Sequence, residues 1–131
     1  MILIKKYANR RLYDTSASAY ITLSECADII RAGTEVQIID AKSKQDITVI
    51  VMIQIIMECE QNFQILPVAA LRQIIKAYGS RSGSLLSRYL ERTMSSFAHH
   101  HLDLDEALEA SLDAIEKDRQ PGIGRPVQTD V

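Results

Sequence analysis

The sequence has few of the residues that build metal, redox and aromatic centres. It contains two cysteines, Cys26 and Cys59, which lie far apart and belong to no Cys-x-x-Cys or zinc-ligand pattern. Isolated cysteines in a chain rich in Ile, Leu and Val are expected to act as small buried hydrophobes rather than as a disulfide. Tryptophan is absent and aromatic residues make up 5% of the chain, so the core is expected to be aliphatic.

Long apolar runs are missing as well. The longest run, residues 49–53, is short, whereas a membrane-spanning helix needs about 20 apolar residues. Lys5 and Lys6 interrupt the apolar start of the chain, so no secretory signal peptide is expected. We therefore expect a cytoplasmic protein that is not embedded in a membrane.

Signatures of catalysis are also lacking. Gly33, Gly79 and Gly83 are isolated, so they form no phosphate-binding glycine loop. No nucleophile has an adjacent base, and the clustered carboxylates of residues 105–116 are typical of a solvated helix face. Three consecutive histidines, residues 99–101, point in different directions on a helix and cannot readily bind one ion. We therefore expect no enzymatic activity, no cofactor and no metal site.

Positive charge, in contrast, is concentrated near the start of the chain. Four cations fall within residues 5–13, and no acid precedes Asp14. The net charge of the whole chain is only −2. Residues 1–100 carry twelve Lys or Arg against nine Asp or Glu, whereas residues 101–131 carry three against eight. This asymmetry is typical of a nucleic-acid-binding part with an acidic appendage. The alternative is a solvated basic edge strand, because Lys at a sheet edge also prevents aggregation.

Several residue types in this basic stretch suit nucleic acid. Arg reads guanine or enters a narrow minor groove, Lys binds phosphate, and Asn pairs with an adenine edge. Either arginine has an alternative role, which is to pair with Asp14 and structure the turn. Asn9 is equally a turn residue, and the two tyrosines are more often half-buried supports of a hairpin than base-stacking groups. The predicted DNA contacts are Lys5, Lys6, Tyr7, Asn9, Arg10, Arg11 and Tyr13.

The first third of the chain predicts a small mixed α and β region. Residues 1–4 favour a strand that runs into the basic stretch, residues 13–18 favour a turn, and residues 20–21 favour a returning strand. This hairpin would carry the basic residues on one arm and at its tip. A capping box at residues 22–25 predicts a helix that Gly33 ends. A further strand is predicted at residues 36–40.

Residues 49–57 are nearly all apolar, and their length together with the polar residues that follow favours a helix that ends near Gln61. A helix that is apolar on most faces must be buried on most faces. Either the domain core or a second subunit covers it. With the apolar stripe of the next predicted helix, this gives a candidate oligomer interface of Ile53, Ile56, Leu71 and Ile75, for a homo-oligomer that is a dimer or a tetramer.

The second half predicts helices throughout, followed by a tail in which Pro and Gly break regular structure. The predicted fold class is therefore α+β: a small N-terminal hairpin and helix domain, then an antiparallel helical region that oligomerises. We predict a DNA-binding domain at residues 1–64, a helical region at residues 65–118 and a disordered tail at residues 119–131.

Three segments resemble the DNA-binding domain of the polyhydroxyalkanoate (PHB) synthesis repressor family, which comprises PhaR-like regulators of bacterial storage granules. They are residues 5–15, with the sequence KKYANRRLYDT, residues 20–23, with YITL, and residues 40–42, with DAK. Positions within residues 66–97 are similar, more loosely, to the second region of the same family, which is associated with polyester accumulation.

This resemblance implies a DNA-binding transcriptional repressor of granule genes, such as the gene for the coat protein phasin, in the cytoplasm and partly on granules. The implied partners are double-stranded operator DNA and polyhydroxyalkanoate, and polymer binding would release the DNA. In the second region, one helix face is assigned to the polymer; the alternative is that it forms a helix-packing core. That face comprises Tyr89, Leu90, Met94 and Phe97.

Two other functions remain open at this point. The first is a granule-associated structural or adaptor protein without direct DNA regulation, in which the basic stretch is incidental. The second is a helical interaction module that binds neither ligand.

Overall fold

The computed structural model describes residues 1–99 and 104–119. It confirms the predicted α+β class, with a four-stranded sheet and five α-helices in the described residues. The chain divides into two compact units, residues 1–68 and residues 69–131, and each is described by itself below. The predicted disordered tail falls almost entirely outside the described residues.

The sheet of the first unit is mixed. Its spatial order is β3-β2-β1-β4; β1 pairs antiparallel with β2 and parallel with β4, and β2 pairs antiparallel with β3. The parallel pair requires a crossover, which the first helix supplies. The strands are β1 (Ile2–Tyr7), β2 (Arg11–Asp14), β3 (Ala19–Ile21) and β4 (Val36–Asp40).

The prediction of a single hairpin over residues 2–21 was wrong, because the basic stretch itself contains a turn. β1 continues through both lysines to Tyr7, and the chain reverses at Ala8–Arg10. Asn9 and Arg10 adopt left-handed backbone conformations there, with φ of 64° and 62°. The second turn, at residues 15–18, lies where the sequence predicted it. The basic residues are therefore spread over two strands and the turn that joins them.

One face of the sheet forms the core of this unit. Side chains alternate along a strand, and Ile4, Leu12 and Ile38 share the face that is fully covered. Two helices cover that face: α1 (Leu23–Arg31) contributes Cys26, and α2 (Thr48–Asn62) contributes Val51. Both cysteines are free, and burial raises the pKa of the Cys26 thiol, with a further contribution from the charge of Asp14.

Local signals place these helices. The predicted capping box is present: the Thr22 hydroxyl accepts from the Glu25 N–H, and the Glu25 carboxylate accepts from the Thr22 N–H. Gly33 follows α1 with φ of 93°, a conformation that glycine tolerates without steric cost. Thr48 joins α2 to the sheet, because its hydroxyl accepts from the Ile38 N–H at 2.8 Å.

Only part of α2 lies in the core. Val51 and Ile55 are buried, whereas Ile53 and Ile56 keep 45% and 47% of their surface exposed. The exposed apolar residues recur at helical spacing, so they form a continuous stripe on the face that points away from the sheet. We call this set the α2 stripe; it comprises Val49, Ile50, Ile53, Ile56 and Met57.

The described residues of the second unit are helical and bury almost no core in a single chain. Among its described residues, the buried side chains are Ala77 and Ala107. The predicted interface residues Leu71 and Ile75 are exposed. Among the described residues of the chain, no helix is both long and apolar enough to cross a membrane. The helices are α3 (Val68–Ala77), α4 (Ser82–His99) and α5 (Leu104–Arg119).

Asp14 organises the turn between β2 and β3. It is 4% exposed, and its Oδ1 accepts from the Ser16 hydroxyl at 2.7 Å, the Ser16 N–H at 2.8 Å and the Ala17 N–H at 3.3 Å. The Ser16 hydroxyl, assisted by the two backbone N–H groups, holds the pKa of Asp14 below its ordinary value, although burial acts in the opposite direction. The charged form is therefore favoured in the folded state.

Asp14→Asn is expected to remove a pH-dependent part of the stability. The folded pKa lies below the unfolded value of about 3.9, so the carboxylate stabilises the fold above that pH and stops doing so as the pH falls through the folded pKa. We expect the variant to lose about 1–3 kcal/mol near neutral pH. Its melting temperature should approach that of the wild type in acid. Thermal unfolding followed by circular dichroism tests this, and a difference that is constant with pH would contradict it.

Candidate nucleic-acid interface

The strand register divides the basic stretch between two surfaces. Lys5 pairs with Tyr13 and Tyr7 pairs with Arg11, so these four side chains lie on the face opposite the core. Lys6 pairs with Leu12, on the core side of the sheet. The sequence predicted all of them as one group, but the pleat separates them. We call the face that carries Lys5, Tyr7, Arg11, Tyr13 and Tyr20 the open face.

Three tyrosines on adjacent strands form a cluster on the open face. The Tyr13 and Tyr20 ring centroids are 5.1 Å apart, and Tyr7 lies 6.4 Å from Tyr13 and 6.3 Å from Tyr20. All three pairs meet edge to face, which is a favoured aromatic geometry. Tyr7 and Tyr13 therefore do support the sheet, and Tyr7 remains exposed at the same time.

The Arg11 guanidinium lies over the Tyr20 ring, with its central carbon 4.2 Å from the ring centroid. This cation–π contact holds a flexible cation in one place on the sheet. Sequence analysis did not identify Tyr20 as a site residue, because β3 has to pair with β2 before the two meet. The YITL segment that contains Tyr20 was the available signal.

A second group of cations lies at the end of the sheet where the chain turns. Arg10 lines a shallow cleft with Lys6 and with Glu58 of α2. Lys6 and Tyr7 also line a depression with Lys42, from the loop that follows β4. In that loop, the N–H groups of Ser43 and Lys42 lower the pKa of Asp40, and the charge of Lys6 adds a smaller effect. Lys42 therefore lies beside the basic stretch.

Neither Arg10 nor Arg11 pairs with Asp14, which was the alternative role for these arginines. Asp14 accepts its hydrogen bonds from Ser16 and Ala17. In residues 1–99 and 104–119, the one ion pair is Arg31–Asp28 on α1, at 3.0 Å. Arg10 and Arg11 therefore have no carboxylate within ion-pair distance in this part of the chain. Their charges are available to an external anion.

The backbone at Arg10 leads to a prediction that separates stability from binding. A left-handed conformation costs a non-glycine residue about 1–2 kcal/mol, and glycine removes that cost at some expense of chain entropy. Arg10→Gly should therefore leave the free energy of unfolding unchanged or raise it by up to about 1 kcal/mol, while it weakens DNA binding. Ser18, with φ of 53°, lies in the second turn, so Ser18→Gly is the matched control.

Chemical denaturation and a DNA-binding titration test this pair of variants. Both variants should be at least as stable as the wild type, and only Arg10→Gly should bind DNA more weakly. Equal DNA affinity for the two variants would show that the Arg10 side chain does not contact DNA.

The other predicted site residues fall in the second unit or on α2. Tyr89 and Met94 of α4 are 67% and 57% exposed, and Leu90 is also exposed, so in the single chain they do not form a packed core. The side chains of Phe97 and His99, as well as His100 and His101, lie outside the described residues. In the described part of the chain, no group of three or more His, Cys, Asp or Glu residues is arranged to hold a metal ion.

A sheet face that carries cations and aromatic rings, with the Asp46 carboxylate at its β4 edge, is suited to bind a polyanion. Comparison with known protein families agrees with this interpretation. Residues 3–62 match the PHB/PHA accumulation regulator DNA-binding domain, and residues 66–101 match the PHB accumulation regulatory domain. The chain therefore belongs to the family of PHB accumulation regulators, and its first unit contains the DNA-binding domain.

Two relatives are similar over most of the chain. An uncharacterized protein of Allochromatium vinosum is 40% identical over 107 residues, which are 81% of this chain and 70% of the relative. An uncharacterized protein in the phbA 5′ region of Thiocystis violacea is 36% identical over 107 residues, 81% of this chain and 78% of the relative. No solved structure matches the chain.

Proposed function

We propose that this regulator is a transcriptional repressor of polyhydroxyalkanoate storage genes of the phasin type, and that polyester releases it from operator DNA. One observation carries the proposal: the segment that matches the DNA-binding domain carries cations on a sheet and in its turn that form no ion pair within the described residues. In this proposal the first unit binds operator DNA and the second unit senses the polymer. The protein acts in the cytoplasm and partly on the granule surface, without catalysis.

Association of copies is part of the proposal. The α2 stripe supports it, because isolated soluble domains rarely expose a contiguous row of large aliphatic side chains. The second unit supports it too, since two buried alanines cannot stabilise its described helices. A two-fold dimer would also present two DNA-binding units to two half-sites of an operator.

In this proposal, helix α4 is the part of the second unit that senses the polymer. Polyester has ester carbonyls and no charge, so a protein holds it mainly by apolar contact. Tyr89, Leu90 and Met94 offer an exposed apolar surface in the segment that matches the accumulation regulatory domain. Methionine suits a surface of this kind, because its unbranched thioether adapts to irregular partners. Phe97 is proposed as a further member of this surface on sequence grounds.

Met94→Gln is expected to separate polymer binding from DNA binding. Because Met94 is exposed, a polar side chain of similar length should leave the fold and the DNA affinity unchanged. It should weaken association with polyester granules and abolish release of DNA by added polymer. Ser95→Gln, at the neighbouring exposed position of α4, is the matched control and should behave as the wild type. Unchanged co-sedimentation of the Met94→Gln variant with granules would remove this face from the polymer site.

The second candidate is a granule-associated structural or adaptor protein. The exposed apolar surface of the second unit favours it independently of the basic stretch. The two functions differ in one assay: an adaptor coats granules but gives no competitor-resistant complex with DNA from upstream of phasin-type genes.

A further inference from the structure

We propose that the open face of the sheet, rather than a helix, is the surface that meets the DNA duplex. This rests on the proposed function and adds to it the part of the first unit that makes the contact. Many DNA-binding domains place a recognition helix in the major groove. The charge distribution in this unit argues against that arrangement.

Neither helix of the first unit carries the charge that DNA requires. The sequence of α2 contains no Lys or Arg, and its exposed side is the apolar α2 stripe. The one cation of α1 is Arg31, which pairs with Asp28 at 3.0 Å, and Glu25 adds a second acid to that helix. A helix of this composition would repel phosphate. The positive charge of the unit lies instead on the sheet and in its turns.

The open face has the charge complementarity that the helices lack. Lys5 and Arg11 lie on it, and its other strand residues are tyrosine, leucine, isoleucine and glutamine. The two acidic residues of the strands lie on the core side of the sheet, because Asp14 pairs with Ile4 and Asp40 pairs with Lys6. One acid does reach this face: the Gln37 amide donates to the Asp46 carboxylate at 3.3 Å, beyond β4 and away from Arg11 on β2. The part of the face on β1, β2 and β3, with its cations and hydroxyl groups, is complementary to a sugar–phosphate backbone.

The tyrosine geometry favours a duplex over a single strand. Single-stranded DNA is held by aromatic rings that present free faces to unpaired bases. Here Arg11 covers one face of Tyr20, and the rings are inclined to one another by 66–88°. The cluster therefore offers no parallel stacking platform. Its hydroxyl groups and ring edges suit phosphate and sugar contacts along a duplex.

The dimensions of the sheet indicate which end enters a groove. Four strands at about 4.8 Å spacing span about 14 Å, which exceeds the major groove width of about 12 Å. The β1–β2 ladder, however, runs one pair further than either flanking strand, to Tyr7 and Arg11. This end, one residue pair and the turn at Ala8–Arg10, is two strands wide, and the major groove admits a two-stranded element. Arg11 is thus placed at the groove and Lys5 at the phosphates.

The double variant Lys5→Gln/Arg11→Gln in the full chain tests the proposal. The matched control is Arg31→Gln/Lys44→Gln, which removes the same charge from α1 and from the loop after β4. Binding to a short duplex of mixed sequence, and to one of its strands alone, is measured by fluorescence anisotropy over a range of salt concentrations. The face variant should bind the duplex about 10- to 30-fold more weakly, and its salt slope should be smaller by about 2 per subunit.

The control should match the wild type in affinity and salt slope, and the wild type should prefer the duplex to the single strand. Arg11→Lys, which keeps the charge, should retain most of the affinity and verify that the fold survives substitution at this position. If the face variant binds as the wild type does, or if the single strand binds better, the open-face proposal is wrong while the proposed function stands. If the wild type binds no DNA, both proposals fail.

Discussion

Replacing Arg10 and Arg11 together with alanine should abolish specific DNA binding and leave the circular dichroism spectrum unchanged. The two residues supply half of the four cations of the basic stretch, and neither has a carboxylate partner within the described residues. If the wild type contacts about four phosphates per subunit, the slope of log affinity against log salt is near −3 to −4 per subunit. The double variant should lose about half of that slope and bind at least 100-fold more weakly at physiological salt.

The control for this experiment is Arg31→Ala. Arg31 is also an exposed arginine of the first unit, but it pairs with Asp28 and lies on α1. Its removal should leave DNA affinity within about twofold of the wild type, because a surface ion pair of this kind contributes little energy. A specific complex that survives the Arg10/Arg11 change at physiological salt would refute the assignment of the basic stretch to DNA.

Ile53→Asp should convert an associated protein into monomers. Ile53 lies in the α2 stripe and is nearly half exposed in the single chain, so the fold of the monomer should survive the change. In a symmetric dimer each substitution occurs twice. Each removes roughly half of the about 1.5–3 kcal/mol that full burial of Ile contributes, and each also places an unpaired carboxylate in an apolar interface, which costs several kcal/mol more. The dissociation constant should therefore rise by more than about 100-fold. Light scattering at micromolar concentration measures the change in mass.

Gln61→Asp is the matched control, because it adds the same charge to an exposed polar position of the same helix. It should leave the mass of the particle unchanged. A monodisperse wild-type monomer at micromolar concentration would contradict the association that we propose. A variant that unfolds would instead show that the first unit depends on association for its stability.

The sequence predicted the elements whose signals are local. Thr22 and Glu25 mark the start of α1, and the length of the apolar run after Thr48, with the polar residues that follow it, marks α2. Capping and run length depend only on neighbouring residues. The turn at Ala8–Arg10 was missed although Asn9 is a turn residue, because the segment contains neither Gly nor Pro. Its left-handed residues are Asn9 and Arg10, and arginine carries no turn signal.

The arrangement of the site depended on pairing between strands, which the sequence does not show directly. The contact between Arg11 and Tyr20 arises from the register of β2 with β3. The register also decides that Lys5 and Lys6, adjacent in sequence, lie on opposite sides of the sheet. The apolar stripes of the second half were visible, but a stripe that packs within the chain and one that stays exposed, such as that of Ile75, have the same period.

Binding of operator DNA and its release by polyester are tested together by a gel-shift assay. The wild type is mixed with DNA from upstream of phasin-type genes in the presence of excess competitor duplex, and polyester granules are added afterwards. We predict a retarded complex that withstands the competitor and disappears when the polymer is added. A complex that the competitor removes completely, or one that persists unchanged with polymer in excess, would contradict it.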